Sequence, residues 1–139
     1  MTDDLKSPAA EKISIFIVDD DTFLLDMYSM KFKKPPFEVR TADNAESALK
    51  QMRDGFTPDI LLMDVIMPGL TGLEALETIR KENLIPNATI IMLTNQSLGD
   101  DLERAKRCNV DGYIIKAMAI PSEVFAEVEK IHNKKHHGL

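Results

Sequence analysis

The chain is poor in the residues that build disulfide frameworks, zinc sites and membrane spans. Its 139 residues contain one cysteine, three histidines and no tryptophan. The single Cys108 excludes an internal disulfide and fits a reducing compartment, and we interpret it as a small structural residue. No apolar run has the roughly 20 residues that a bilayer requires, and segment 1–12 lacks a secretory apolar core. These absences predict a cytoplasmic protein without a membrane partner.

Positive charge is also scarce. Seventeen Lys and Arg stand against 23 Asp and Glu, and the net charge of −6 disfavours direct contact with nucleic acid. No glycine-rich loop follows the first apolar run, which disfavours a nucleotide- or flavin-binding fold. The chain has 44% hydrophobic and 29% charged residues, proportions that are ordinary for a globular protein. At this length, that balance predicts one domain with a buried core.

Apolar strand-like runs alternate with segments of helical periodicity. The predicted strands are Ile13–Val18, Phe37–Thr41, Asp59–Met63, Thr89–Leu93 and Tyr113–Ile115. The predicted helices are about Thr22–Lys33, Asn44–Gly55, Gly72–Glu82, Asp100–Arg107 and Pro121–Ile131. Five such units predict right-handed crossovers and a doubly wound α/β fold, in which helices cover both faces of a five-stranded parallel sheet. We interpret segment 1–12 as a flexible leader, 13–132 as the domain and 133–139 as a C-terminal tail.

Polar residues recur at the ends of four of these strands. Asp19 and Asp20 follow the first strand, Asp64 the third, Thr94 the fourth and Lys116 the fifth. Because parallel strands end at one edge of the sheet, we expect these side chains to lie together. Clustered carboxylates without a neighbouring His or Cys favour Mg²⁺ over zinc. An ammonium and a hydroxyl beside them favour phosphoryl chemistry, with Asp64 as a nucleophile.

These motifs resemble the receiver domains of two-component response regulators, over about Lys12–Ile131. The matching segments are Ile15–Asp21, Asp59–Gly69, Met92–Thr94 and Gly112–Lys116. The resemblance implies the flavodoxin-like strand order 2-1-3-4-5 with five helices. It also implies a signalling domain that catalyses its own aspartyl phosphorylation and dephosphorylation, rather than an enzyme with a separate substrate.

The resemblance assigns the phosphoryl chemistry to the carboxylates. Asp64 would accept a phosphoryl group from a phosphohistidine on a histidine kinase or a histidine phosphotransfer protein. Asp20 and Asp64 would hold Mg²⁺ through their side chains, Ile66 through its backbone carbonyl, and Asp19 through water. Both the phosphodonor and the magnesium ion are therefore expected partners.

The resemblance also implies how the signal leaves the site. Lys116 would contact Asp64 or its phosphoryl group, Thr94 would bond the new phosphoryl oxygen, and Tyr113 would change rotamer. These movements would remodel the face of the fourth helix, fifth strand and fifth helix, where a downstream protein docks. The expected oligomeric state is a monomer or a phosphorylation-dependent dimer.

Three residues depart from, or vary within, the family pattern. Ala117 follows Lys116 where a proline after a cis bond is usual, so whether this bond is cis stays open. Asn95 stands where a small residue is usual and is predicted to narrow access to the site. Gln96, two residues beyond Thr94, is a second candidate to affect access and water.

Two other functions remain open. One is a receiver-like docking module that signals without phosphorylation, which the intact acids disfavour. The run Asp19–Phe23 also resembles the Asp-x-Asp-x-Thr opening of haloacid-dehalogenase-type phosphohydrolases. Phe23 stands where those enzymes need Thr, and no acidic pair follows Lys116, so this alternative is the weaker one.

Overall fold

The computed structural model describes residues 12–95, 99, 101–116 and 119–136. Its strands are β1 (Ile13–Val18), β2 (Phe37–Ala42), β3 (Ile60–Asp64), β4 (Thr89–Thr94) and β5 (Gly112–Ile115). Its helices are α1 (Thr22–Phe32), α2 (Ala45–Arg53), α3 (Gly72–Lys81), α4 (Asp101–Arg107) and α5 (Pro121–His136). All neighbouring strands pair in parallel in the order β2-β1-β3-β4-β5. The predicted fold class and strand order are confirmed.

The sheet is the middle of three layers. Every residue of β3 and β4 is buried, as expected for central strands covered on both faces. Successive strand residues point to opposite faces, so Leu61 lies in the layer under α2, α3 and α4, whereas Leu62 lies in the layer under α1 and α5. The core therefore holds the strands rigidly, and the polar residues at their carboxyl ends are fixed at one edge.

Helix caps set where the chain leaves that edge. The Asp21 carboxylate accepts a hydrogen bond from the Leu24 amide at 3.1 Å, and α1 starts at the next residue. The Asn44 side chain accepts one from the Ser47 amide at 2.7 Å and caps α2. Both caps were predicted from the sequence and are confirmed. Each cap turns the chain immediately after a strand, which keeps the strand-end residues close to the sheet.

Most elements differ from the predicted bounds by one or two residues, and the differences in β3 and α5 change the role of particular side chains. Strand β3 runs one residue later than expected, so Asp64 is itself a strand residue, and the Asp59 carboxylate instead accepts a hydrogen bond from the Ser14 amide at 2.8 Å. Helix α5 continues to His136 rather than ending near Ile131, so residues 133–136 are helical and not a tail. Lys135 explains part of this extension, because its ammonium donates to the Ala88 carbonyl at 2.8 Å.

Several sequence predictions lie outside the described residues. These are the leader over residues 1–11, Asp100 at the predicted start of the fourth helix, Gln96, the bond from Lys116 to Ala117, and the end of the chain after His136. Among the residues that are described, no helix combines the length and apolar character that crossing a membrane demands.

Candidate functional site

The order of the strands places the acidic residues side by side. Strands β1 and β3 are neighbours, with Val18 opposite Met63, so Asp19 and Asp64 come next along the two strands. Strand β4 pairs on the other side of β3, with Leu93 opposite Asp64, and Thr94 follows. The site therefore lies at the carboxyl edge of the sheet, where the chain order reverses between β1 and β3.

Three carboxylates meet at this edge. One oxygen from each of Asp19, Asp20 and Asp64 lies within 4.8 Å of the others. Asp19 and Asp64 are buried, whereas Asp20 is exposed at the mouth. Backbone amides hold the two buried groups, because Asp19 Oδ1 accepts from the Asp21 amide at 2.9 Å and Asp64 Oδ1 accepts from the Ile66 amide at 3.3 Å. The other oxygens of these buried carboxylates are turned toward one cation.

That cation is the ammonium of Lys116, which follows β5. Its Nζ lies 2.8 Å from Asp19 Oδ2 and 3.1 Å from Asp64 Oδ2, and the Lys116 side chain is only 6% exposed. It donates a hydrogen bond to Asp64 and forms an ion pair with Asp19 Oδ2. One positive charge thus faces two buried negative charges, and the pocket keeps an excess of negative charge.

This excess shifts the protonation of the pocket. Burial, together with the charge of Asp19, raises the pKa of Asp64 to about 6, although Lys116 and the Ile66 amide oppose the shift. Burial also works against the charged form of Lys116, but its pairing with Asp19 and Asp64 outweighs burial and raises the pKa of the ammonium. The pocket as a whole therefore favours any additional positive charge.

Comparisons with known proteins decide the family. A sequence profile described as the response regulator receiver domain matches residues 15–129. The chain belongs to the response regulator receiver domains. Among curated proteins, the probable transcriptional regulatory protein TcrX of Mycobacterium tuberculosis is 28% identical over 114 residues, which cover 82% of this chain and 47% of that protein. The transcriptional regulatory protein CpxR homolog of Haemophilus influenzae is 36% identical over 90 residues, 65% of this chain and 37% of that protein.

Solved structures agree with the profile. A CheY-like response regulator receiver domain protein of Methanospirillum hungatei superposes with a TM-score of 0.80 at 25% identity, covering 93% of this chain and all of the other. The chain spans half or less of the two curated relatives named above. This chain is therefore a receiver domain of the kind found in two-component response regulators.

The acidic edge of this receiver domain fits a hard divalent cation. Receiver domains generally bind Mg²⁺ through acidic residues, and here three carboxylates offer oxygen ligands of the kind that Mg²⁺ prefers. Asp19 Oδ2 is buried against the Lys116 ammonium, and a carboxylate oxygen has a further lone pair that can accept from a ligated water or bind a cation. All of these ligand atoms are oxygens and the carboxylates carry negative charge, which are the properties that Mg²⁺ prefers in its ligands.

The remaining predicted residues are distributed around the pocket. Thr94 is buried at the end of β4, next to Ile115 in the register of β5. Tyr113, on the neighbouring outer strand β5, is 44% exposed. Ile66 projects its side chain to solvent while its amide contacts Asp64, and Asn95 is exposed beyond Thr94.

Sequence reasoning overlooked two residues of this site. In the sequence, Tyr28 belongs to the apolar stripe of α1. In the structure, burial raises the pKa of its hydroxyl, and the charges of Lys116 and Asp19 also act on that hydroxyl. Gly72, at the start of α3, lies so close to the strand that an added Cβ would be 2.0 Å from the carbonyl oxygen of Asp64. Its amide also donates to the Val65 carbonyl at 2.7 Å. Neither contact has a signal in local periodicity, because both depend on tertiary packing.

The raised pKa predicts that Asp64→Asn stabilises the receiver domain when divalent cations are absent. Because the folded-state pKa exceeds the ordinary value of 3.8, the stabilising contribution is present below pH 3.8 and is lost as the pH rises through about 6. At neutral pH the ionised group costs at most about 3 kcal/mol at 1.36 kcal/mol per pKa unit. Since Asn also deprives Lys116 of a charged partner, we expect a net gain of about 1–2 kcal/mol.

Urea unfolding with a chelator, at about pH 7.5 and about pH 4, measures this effect. The advantage of the variant should be present at the higher pH and should nearly vanish at the lower one. Asp54→Asn, at an exposed carboxylate that pairs with Lys50 on α2, is the matched control and should change little. An Asp64→Asn variant that is less stable than the wild type at neutral pH would contradict the argument.

Proposed function

We propose that this receiver domain is a phosphorylation-dependent switch in which Asp64 accepts a phosphoryl group from a phosphohistidine of a histidine kinase or a phosphotransfer protein. The phosphorylated domain then docks a downstream protein through the face formed by α4, β5 and α5. The observation that supports this most directly is the shared ammonium of Lys116, 2.8 Å from Asp19 and 3.1 Å from Asp64, inside a group of three carboxylates. We infer a cytoplasmic location, where such donors are found.

The transfer step follows from the position of Asp64. An Asp64 oxygen attacks the phosphorus, a P–O bond forms, and the P–N bond of the phosphohistidine breaks. The electron pair goes to the leaving imidazole, which is protonated at its other nitrogen and departs neutral. Lys116 stabilises the charge that accumulates on the phosphoryl oxygens, since its ammonium already lies beside the nucleophile. The domain therefore supplies the catalytic groups for its own modification.

Four groups are available to hold the magnesium ion. These are the side chains of Asp20 and Asp64, the Ile66 backbone carbonyl and, through water, Asp19. When bound, the ion neutralises the carboxylates and shields the incoming phosphoryl group from their repulsion. The contact of Ile66 with Asp64 through its amide keeps this loop close to the carboxylate.

Phosphorylation of Asp64 would change the docking surface through β5, the outer strand of the sheet. Thr94 would bond a phosphoryl oxygen on Asp64, and Tyr113 would then turn inward from its exposed position. Tyr113 lines a groove of about 530 Å³ between β5 and α5, together with Ile115 and Glu123. A new dianion that moves Thr94 and Tyr113 therefore changes the shape of a surface that a protein can contact.

Exposed apolar residues support a protein as the phosphodonor. Phe23 in the first turn of α1, Ile66 after β3 and Ile120 before α5 are large, apolar and exposed, and all three lie in segments that leave the carboxyl edge of the sheet. We propose that the protein phosphodonor contacts these side chains when it reaches the pocket. The exposed Asn95 beside Thr94 is the residue that we propose limits access to the pocket, and we retain Gln96 in the same role.

Intact-mass measurement after treatment with a small phosphoryl donor and Mg²⁺ tests the proposal. We expect the wild type to gain the mass of one phosphoryl group, and we expect Asp64→Asn to gain none. Asp54→Asn, at an exposed carboxylate outside the pocket, should be labelled like the wild type. Removal of the divalent cation with a chelator should suppress labelling, because the ion offsets the repulsion between the acids and the phosphoryl group.

The other outcomes discriminate between the alternatives. A wild type that stays unlabelled, although folded, would favour a docking module that works without phosphorylation. Turnover of a generic phosphate ester would favour a phosphohydrolase. Size-exclusion chromatography of the labelled sample would distinguish a monomer from a phosphorylation-dependent dimer. The expectation of no direct nucleic-acid contact concerns these 139 residues, and not the longer relatives, one of which is named a DNA-binding response regulator.

A further inference from the structure

Two imidazoles converge on one hydroxyl at the amino edge of the sheet, opposite the acidic pocket. Thr89, the first residue of β4, has its Oγ1 2.8 Å from His132 Nδ1 and 3.5 Å from His136 Nε2. The two histidines are one turn apart on α5, and their ring centroids are 4.3 Å apart. His132 is only 9% exposed, whereas His136 is exposed. The function proposed for the acidic pocket uses none of these groups.

The positions of the protons in this cluster depend on the charge of the two rings. A threonine hydroxyl has a single hydrogen to donate and lone pairs to accept with. The contacts are satisfied among neutral rings when Thr89 donates to His132 Nδ1 and accepts the N–H of His136 Nε2, and equally when both directions are reversed. Protonation of His132 makes both of its ring nitrogens donors, so the Thr89 hydroxyl can then only accept from this ring. It would also place a buried imidazolium against the second ring.

We propose that Thr89, His132 and His136 form an acid-sensitive latch, which holds the last turn of α5 against β4 at neutral pH and releases it when His132 takes up a proton. This inference does not depend on phosphorylation or on magnesium, because the latch lies at the opposite edge of the sheet. It makes the docking of α5, one wall of the β5–α5 groove, dependent on pH.

The charges that face His132 come from three parts of the fold. On α5 itself lie His136 and the Lys135 ammonium, both of which act electrostatically against a charged His132. Before β5 lies Asp111, whose carboxylate pairs with Lys135 at 3.0 Å and accepts from the Ile90 amide at 2.8 Å. Before β3 lies Asp59. The two carboxylates favour a charged His132, whereas burial, His136 and Lys135 oppose it.

Together, these opposing influences favour the neutral form of the His132 ring. Burial lowers the pKa of His132 below its ordinary value of 6.5, and His136 and Lys135 add to the decrease despite the carboxylates of Asp59 and Asp111. A folded-state pKa below the unfolded one means that the closed latch is fully stable above pH 6.5 and loses stability as the pH falls through that value. Release on acidification, not on alkalinisation, is the expected direction.

Hydrogen exchange of the complete 139-residue chain tests the latch. The amides of the last α5 turn should be protected at about pH 7.5, and their open fraction, corrected for the intrinsic exchange rate, should rise about tenfold by about pH 5.5, since opening takes up one proton. Amides of β3, which lies in the centre of the sheet, serve as the internal reference and should keep their protection.

Two variants separate the latch from a general acid effect. His132→Gln keeps an acceptor for the Thr89 hydroxyl but cannot titrate, so the pH dependence should disappear. His136→Gln removes one group that opposes a charged His132, so the pH dependence should persist but become weaker. A His132→Gln variant with the pH dependence of the wild type would overturn the latch, as would wild-type amides that are equally protected, or equally free, at both pH values.

A measurement on the unmodified protein keeps the test independent of whether the variants fold. The His132 ring can be titrated by nuclear magnetic resonance through its Cε1 proton. A midpoint below 6.5 supports the latch. A midpoint at or above 6.5 overturns it, because the native state would then bind the proton at least as well as the unfolded chain.

Discussion

Replacement of Lys116 by methionine is expected to destabilise this receiver domain by about 2–4 kcal/mol at neutral pH without divalent cations. Lys116 provides the cation between Asp19 and Asp64, with contacts of 2.8 and 3.1 Å. Methionine preserves the apolar length of the side chain but leaves two buried carboxylates uncompensated. The loss is limited because Asp64, whose pKa is already raised to about 6, can take up a proton instead.

Chemical denaturation with a chelator, with Mg²⁺ and at about pH 5 measures the Lys116 effect. Magnesium should restore part of the lost stability by replacing the missing positive charge, and acid should do so by neutralising Asp64. Lys50→Met is the matched control, because Lys50 also pairs with an aspartate, at 2.9 Å, but its side chain is 76% exposed. That control should lose less than about 0.5 kcal/mol. Equal losses in the two variants would refute the view that burial makes Lys116 important.

The central part of the fold was predictable because its sequence signals are local. Residues Ile60–Met63 of β3 and Ile90–Leu93 of β4 are all apolar, as expected for strands covered on both faces. The caps at Asp21 and Asn44 are likewise local, and the structure confirms them. The strand order came from the family resemblance, since alternating strands and helices alone permit more than one doubly wound order.

The end of α5 was not predictable for the opposite reason. Helical periodicity of apolar residues ends at Ile131, and the following residues are polar. They remain helical because of partners distant in sequence, namely Thr89 for His132 and the Ala88 carbonyl for Lys135. A buried polar contact of this kind leaves no trace in a hydrophobic pattern.

The candidate site likewise has some features that the sequence predicted and others that it could not predict. That Asp19, Asp64 and Lys116 would meet followed from parallel strands that end at one edge, and the structure places them in contact. The resemblance assigned Lys116 to Asp64 or to its phosphoryl group, whereas the ammonium is shared with Asp19, which is fully buried. Side-chain burial and the division of a charge between partners depend on the packed structure, so sequence spacing could not supply them.

Gly72→Ala is expected to destabilise the domain by about 3 kcal/mol, the upper end of the range for overpacked sites. Gly72 is the first residue of α3, and within helices alanine is preferred over glycine, by about 1 kcal/mol at interior positions. Here the new Cβ would lie 2.0 Å from the Asp64 carbonyl oxygen and 3.0 Å from Val65 Cα. These backbone atoms cannot move aside without displacing the end of β3. Glycine is therefore preferred over alanine at this position, the opposite of the usual order in helices. Phosphoryl labelling of Asp64 should decrease together with stability.

Gly112→Ala is the matched control for Gly72→Ala, because it tests whether the loss of stability depends on the neighbouring atoms being rigid. A Cβ at Gly112 would also meet an atom too closely, at 2.7 Å, but that atom is Cδ1 at the tip of the Ile131 side chain. A flexible side chain can change rotamer, so we expect Gly112→Ala to cost less than about 1 kcal/mol and to leave labelling unchanged. Thermal unfolding and intact-mass labelling of both variants compare the two sites. If Gly72→Ala matched the wild type in both measurements, the close approach of α3 to the Asp64 backbone would not be what positions this carboxylate.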